Sequence, residues 1–86
     1  MIAYTASKSA VAALTQALAQ ETVDDEIWVN AVAPSILDTP ANRSAMIGAD
    51  YGRWVAPIDI ARLIAFLASP ENQGTRGAVI PVYGGS

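Results

Sequence analysis

The sequence predicts an α/β fold of helix, strand, long loop, helix and strand, with too few strands to complete a sheet. Three observations carry that prediction. Two stretches repeat apolar residues at helical spacing, two short runs are apolar almost throughout, and a segment dense in turn formers separates the first run from the second helix. Apolar runs without alternation suit strands covered on both faces, as in a parallel sheet. A strand, a long crossover containing a helix and a second strand form a right-handed βαβ unit.

Ser7 to Gln20 lacks Gly and Pro, is rich in Ala, and spaces Val11, Leu14 and Leu18 at i, i+3 and i+7, which predicts a helix. Beside that stripe runs a second one, Ala6, Ala10, Ala13 and Ala17, where another backbone can approach closely. The acidic break Glu21, Asp24, Asp25 precedes IWVNAVA, residues Ile27 to Ala33, the first predicted strand, which Pro34 is expected to stop. Ser35 to Ala56 is long for a connection and predicts a functional loop or lid with a short helix near Ala41 to Ile47. Pro57 suits a first helical position, and Ile60, Leu63, Ile64 and Leu67 give the second helix its apolar stripe, ending before Ser69-Pro70. After the turn-rich ENQGTRG, Ala78 to Val82 predicts the second strand.

Composition narrows the chemistry. Eighty-six residues, 52% hydrophobic and 15% charged, predict one globular unit near the lower limit for burying its own core. A net charge of −3 without any basic run argues against nucleic acid or an anionic membrane as partner. With no Cys and no His, disulfides, thiolate or imidazole metal sites and His-based triads are excluded, and no metal centre is expected. No apolar stretch is long enough for a membrane span and no signal-peptide pattern opens the chain, so a cytoplasmic setting is the expectation.

The chain opens MIAYTASK. Residues i and i+4 share a helical face, so Tyr4 and Lys8 can point into one cleft, where an ammonium favours the phenolate that a general acid-base must reach. On its own the pair is also what a solvated helix terminus displays. YTASK with its Ala-rich helix, then WVNAVAPSILDT, PIDIARLIAFLAS and TRGAVIPVYGG, together resemble the C-terminal part of a short-chain dehydrogenase/reductase, in family order and over essentially the whole chain. The resemblance implies a Rossmann-like doubly wound fold and an NAD(P)-dependent oxidoreductase of alcohols and carbonyls. It implies Tyr4 as the catalytic proton donor or acceptor, with Lys8 as its electrostatic partner and holder of the nicotinamide ribose. It further implies that APSILDT holds the nicotinamide carboxamide, through the turn at Pro34, backbone groups of Leu37 and the hydroxyl of Thr39. Ser35 stands where the family usually has Gly, a costly exchange if the position needs positive φ. Asn30 reads as structural, while Arg43, Met46, Tyr51 and Trp54 fall in the region that covers substrate in the family, or serve as lid or interface packing.

The family's glycine-rich phosphate loop and its catalytic Ser and Asn all precede the Tyr, and no Gly occurs here before Gly48. The expectation is therefore a single unit, residues 1–86, lacking the N-terminal nucleotide-binding half, inactive as an isolated chain and binding neither NAD nor NADP. The alternative is a noncatalytic self-associating module. Both readings expect a homo-oligomer, a dimer by preference, built through the first helix: two strands and two helices are marginal alone, and the family uses that helix between subunits.

Overall fold

The computed structural model describes residues 1–85. A 20-residue helix α1 (Ile2–Glu21) is followed by a 3₁₀ turn, strand β1 (Ala31–Pro34), the short helix α2 (Pro40–Ala45), a second 3₁₀ turn, helix α3 (Pro57–Leu67) and strand β2 (Val79–Val82). The strands pair side by side, with Ala31 N–H donating to Ala78 C=O and Ser35 N–H to Val82 C=O. Equal steps along both strands make the pair parallel, as predicted for the βαβ unit, and the sheet is incomplete.

Two compact units organise these elements: Met1–Ala31 with Gln73–Ile80, and Val32–Asn72 with the residues from Pro81 on. In the first, α1 begins five residues before the predicted start, because Ile2 to Ala6 contains nothing that breaks a helix. It ends at Thr22, whose N–H bonds Leu18 C=O at 3.0 Å and whose hydroxyl lies 2.6 Å from the same oxygen. The buried face of α1 is neither of the two stripes. Thr15 and Ala19 are buried, whereas Val11, Leu14 and Leu18 stay 54%, 58% and 37% exposed. The reason is a distant partner: Ala19 lies over Gly77, where an added Cβ would come within 3.2 Å of the Ala19 methyl, and only small side chains permit that approach. Ala6, Ala10, Ala13 and Ala17 are all exposed.

The first strand is shorter than predicted and starts at Ala31. Opposite Val29 and Asn30 the partner segment turns at Gly77, φ +71°, and the Asn30 amide replaces regular pairing, donating to Thr75 C=O and accepting from Ala78 N–H. Asn30 is thus structural, as read. Pro34 closes β1 from inside rather than stopping it from outside. Ala31 and Ser35 turn their N–H groups to β2, so Pro34, of the other parity, forfeits no ladder bond. Expected to be covered on both faces, β1 is only half-buried, and so is β2 apart from the exposed Pro81, because no further layer covers them among the described residues.

In the second unit, α3 has the predicted limits, with Pro57 at its first turn. Its C-terminal carbonyls are closed locally, Ser69 Oγ donating to Phe66 C=O and Asn72 Nδ2 to Leu67 C=O. Ile60 is buried, Leu63 and Leu67 are half-buried and Ile64 is 49% exposed, so the apolar stripe is used in part. Val55 and Ile60 are the buried apolar residues of this unit among those described.

Candidate functional site

Tyr4 and Lys8 stand one turn apart near the start of α1, as their spacing requires. The Lys8 Nζ lies 5.3 Å from the centroid of the Tyr4 ring, a cation–π contact, and the Tyr4 side chain is largely open to solvent. Neither side chain has a hydrogen bond or ion pair among the described residues. Ser7 between them is occupied, its Oγ donating to Ala3 C=O at 2.9 Å. The pair is therefore assembled and uncommitted, a phenol and an ammonium on one exposed helical face.

Pro34, Leu37 and Thr39 belong to the second unit. Pro34 ends β1 and releases the chain into a turn in which Leu37 forms an isolated parallel bridge with Val55. Val55 N–H donates to Ile36 C=O at 3.1 Å and Asp38 N–H to Val55 C=O at 2.8 Å, which aims the Leu37 N–H away from the bridge. The Leu37 carbonyl is engaged by Asn42 Nδ2 at 2.8 Å. Its amide hydrogen is the backbone group left to donate. Thr39 caps α2: its Oγ1 accepts from Asn42 N–H at 3.1 Å, and the hydroxyl hydrogen is left for another acceptor. Ser35 has no positive φ, so the strain expected of Ser at this position does not arise. Its hydroxyl donates to Tyr83 C=O at 3.0 Å instead.

The long loop is tied by contacts that the sequence did not disclose. Arg43 bonds both Asp38 oxygens, at 2.6 and 2.9 Å, and its guanidinium lies 4.5 Å from the centroid of the Tyr51 ring. Tyr51 meets Trp54 edge to face at 4.9 Å. The hydrogen bond from Arg43 holds the Asp38 carboxyl below the usual carboxylate range and raises the guanidinium correspondingly. Asn42 is the functional support that sequence reasoning missed; an Asn three residues after a capping Thr is the signal that would have found it. Among the described residues no group of His, Cys, Asp or Glu is arranged to hold a metal ion, and no helix is long and apolar enough to cross a membrane.

Element order, parallel pairing and a strand that empties into a capped turn define a Rossmann-like α/β chain. Comparison with known proteins specifies it further. The family model described as enoyl-(acyl carrier protein) reductase matches residues 1–86. The chain is 38% identical over 90 residues to the 3-oxoacyl-(acyl-carrier-protein) reductase FabG of Thermotoga maritima, a match covering 95% of this chain and 37% of that protein. Among solved structures it resembles a 4-hydroxyisoleucine dehydrogenase complexed with NADH, at TM-score 0.80 and 32% identity over 98% of this chain and 37% of the other. It likewise resembles acetoin dehydrogenase from Enterobacter cloacae, at TM-score 0.80 and 37% identity over 96% of this chain and 35% of that one. The chain belongs to the short-chain dehydrogenase/reductase family, and it spans a little over a third of the length of these relatives.

Proposed function

We propose that this chain carries the acid-base part and the carboxamide-binding part of an NAD(P)-dependent oxidoreductase acting on alcohols or carbonyls, and that the isolated chain is inactive. The observation that carries the reading is the Tyr4–Lys8 pair, preassembled on one exposed helical face and engaged by no other residue described. Tyr4 exchanges a proton between its phenolic oxygen and the substrate oxygen. Lys8, whose ammonium sits over the ring, is its electrostatic partner and would hold the nicotinamide ribose. When bound, the nicotinamide supplies or accepts the hydride. The second unit fits its carboxamide: the Leu37 N–H and the Thr39 O–H are unspent donors, and Asn42 fixes both by bonding the Leu37 carbonyl and the Thr39 oxygen. Pro34 delivers the turn that presents them.

The inactivity proposed is that of these 86 residues taken by themselves. No Gly precedes Gly48, so no glycine-rich turn can cradle the pyrophosphate ahead of α1, and the family's Ser and Asn have no counterpart before Tyr4. The chain should therefore show no saturable change in nicotinamide fluorescence with NADH or NADPH. Joined in frame to the nucleotide-binding segment of a FabG relative, it should gain reductase activity that Tyr4→Phe lowers by about 10²–10⁴-fold. A fusion that binds cofactor and works equally well with Phe at this position overturns the acid-base assignment; tight cofactor binding by the isolated chain overturns its inactivity.

A second reading, a noncatalytic self-associating module of the cytoplasm, is favoured by α1 itself. Val11, Leu14, Leu18 and the Ala6, Ala10, Ala13, Ala17 stripe are all exposed, and a two-fold contact with a second copy would cover them.

A further inference from the structure

We propose that the first unit carries a second binding site, for a small organic oxyanion, in the open cavity between the last turns of α1 and the 73–77 turn. The cavity measures about 500 Å³ and is lined by Gln16, Ala19, Gln20, Gly74, Arg76 and Gly77. Its polar side chains are unspent: Gln16, Gln20 and Arg76 make no hydrogen bond or ion pair among the described residues. Gln16 and Gln20, four residues apart, share one helical face, so their carboxamides present N–H donors side by side. Arg76 adds the planar fork of donors that matches a carboxylate or a phosphate. No Asp or Glu lines the cavity, and its only formal charge is the guanidinium.

The floor is built to stay open. Ala19 is buried to 2%, and Gly77 stands at φ +71° where a Cβ would close to 3.2 Å on the Ala19 methyl. Any larger residue at either position would fill the base of the cavity or strain the turn. At Gly74 an added Cβ would meet nothing within 4 Å, which leaves the mouth clear. The negative end of α1, which closes at Glu21, opposes an anion. That effect is partial, since the Thr22 N–H and hydroxyl already engage the Leu18 carbonyl, whereas a charge-assisted bond from Arg76 acts directly.

The site is separate from the acid-base pair. Gln16 follows Tyr4 by twelve residues on a continuous helix, or about 18 Å along its axis. A cavity of this size exceeds what inorganic phosphate fills and suits an acid the size of a tricarboxylate or a sugar phosphate. Chemical-shift titration of the full chain with citrate, with ribose 5-phosphate and with uncharged glucose tests the assignment. The side-chain amide signals of Gln16 and Gln20 and the backbone signals of Gly74 and Gly77 should move saturably, at millimolar concentration or below, with either acid and not with glucose. The tighter acid assigns the class, carboxylate or phosphate. Arg76→Gln should weaken binding about tenfold or more. Its Asn30 amide signals should stay in place, since Asn30 bonds Thr75 and Ala78 rather than Arg76. Absence of saturation with both acids, equal shifts with sodium chloride at matched ionic strength, or undiminished affinity in Arg76→Gln overturns the proposal.

Discussion

Replacing Gly84 by Ala should destabilise the second unit far more than the same change at Gly48, although both glycines have positive φ. Gly84 sits at φ +60° and Gly48 at φ +86°, so each substitution incurs the left-handed penalty of an L side chain, about 1–2 kcal/mol. Only at Gly84 does the new methyl meet neighbours: 3.0 Å to Val55 Cγ2 and 3.2 Å to Arg53 O, against nothing within 4 Å at Gly48. Val55 has little room to yield. It is 4% exposed, β-branched, and held on both sides of its backbone by bonds to Ile36 and Asp38. Arg53 is tied as well, its C=O accepting from Gly85 N–H and its Nε donating to Gly85 C=O. Overpacking of this kind adds about 1–3 kcal/mol, for a total of about 2–5 kcal/mol at Gly84. In a chain this short each kcal/mol lowers the midpoint by about 4–8 °C. Thermal and urea unfolding followed by circular dichroism read the difference directly. Equal losses in the two variants would refute the packing argument and leave backbone strain as the whole effect.

The Asp38–Arg43 pair makes the long loop acid-sensitive. Because the folded Asp38 carboxyl lies below its unfolded value, the pair's contribution is fully present above the usual Asp range near 3.9 and is lost as pH falls through the depressed folded value. Tyr51 and Trp54 signals should change only in that acidic window and remain flat there in Asp38→Asn; a transition near neutral pH would contradict the assignment. Asn42→Ala removes the side-chain bond to the Leu37 carbonyl and keeps the Thr39 cap, which the Asn42 backbone N–H makes, so in an active fusion it should raise the KM for cofactor severalfold with little change in kcat, and an effect on kcat alone would refute its positioning role. If α1 covers itself with a second copy, Ala13→Glu places a charge in the contact and the variant should sediment as a monomer at micromolar concentration. A wild type that is itself a stable monomer, or a variant that stays associated, would exclude that interface.

What the sequence disclosed was whatever one element decides by itself. Pro57, the apolar stripe and Ser69-Pro70 define α3 from within, and its limits follow. Tyr4 and Lys8 are legible as a pair for the same reason, since helix spacing alone brings them onto one face. The buried side of α1 is different. Val11, Leu14 and Leu18 form the larger apolar stripe, yet the face that is buried belongs to Thr15 and Ala19, because it packs against the turn at Gly77, some sixty residues away in the chain. The late start of β1 has the same origin, with Asn30 bonding a segment far along the sequence. Thr39 and Leu37 were found by resemblance, but what orders them is the Val55 bridge and Asn42, and Val55 lies at the far end of the long loop. A residue whose role depends on its own helix can be read from spacing; a donor left free because its neighbours bond elsewhere becomes visible only once the chain has folded back. By that logic Arg76 looks like an ordinary surface cation in the sequence, and only the fold places it with Gln16 and Gln20 around one cavity, where its lack of a partner acquires a chemical meaning.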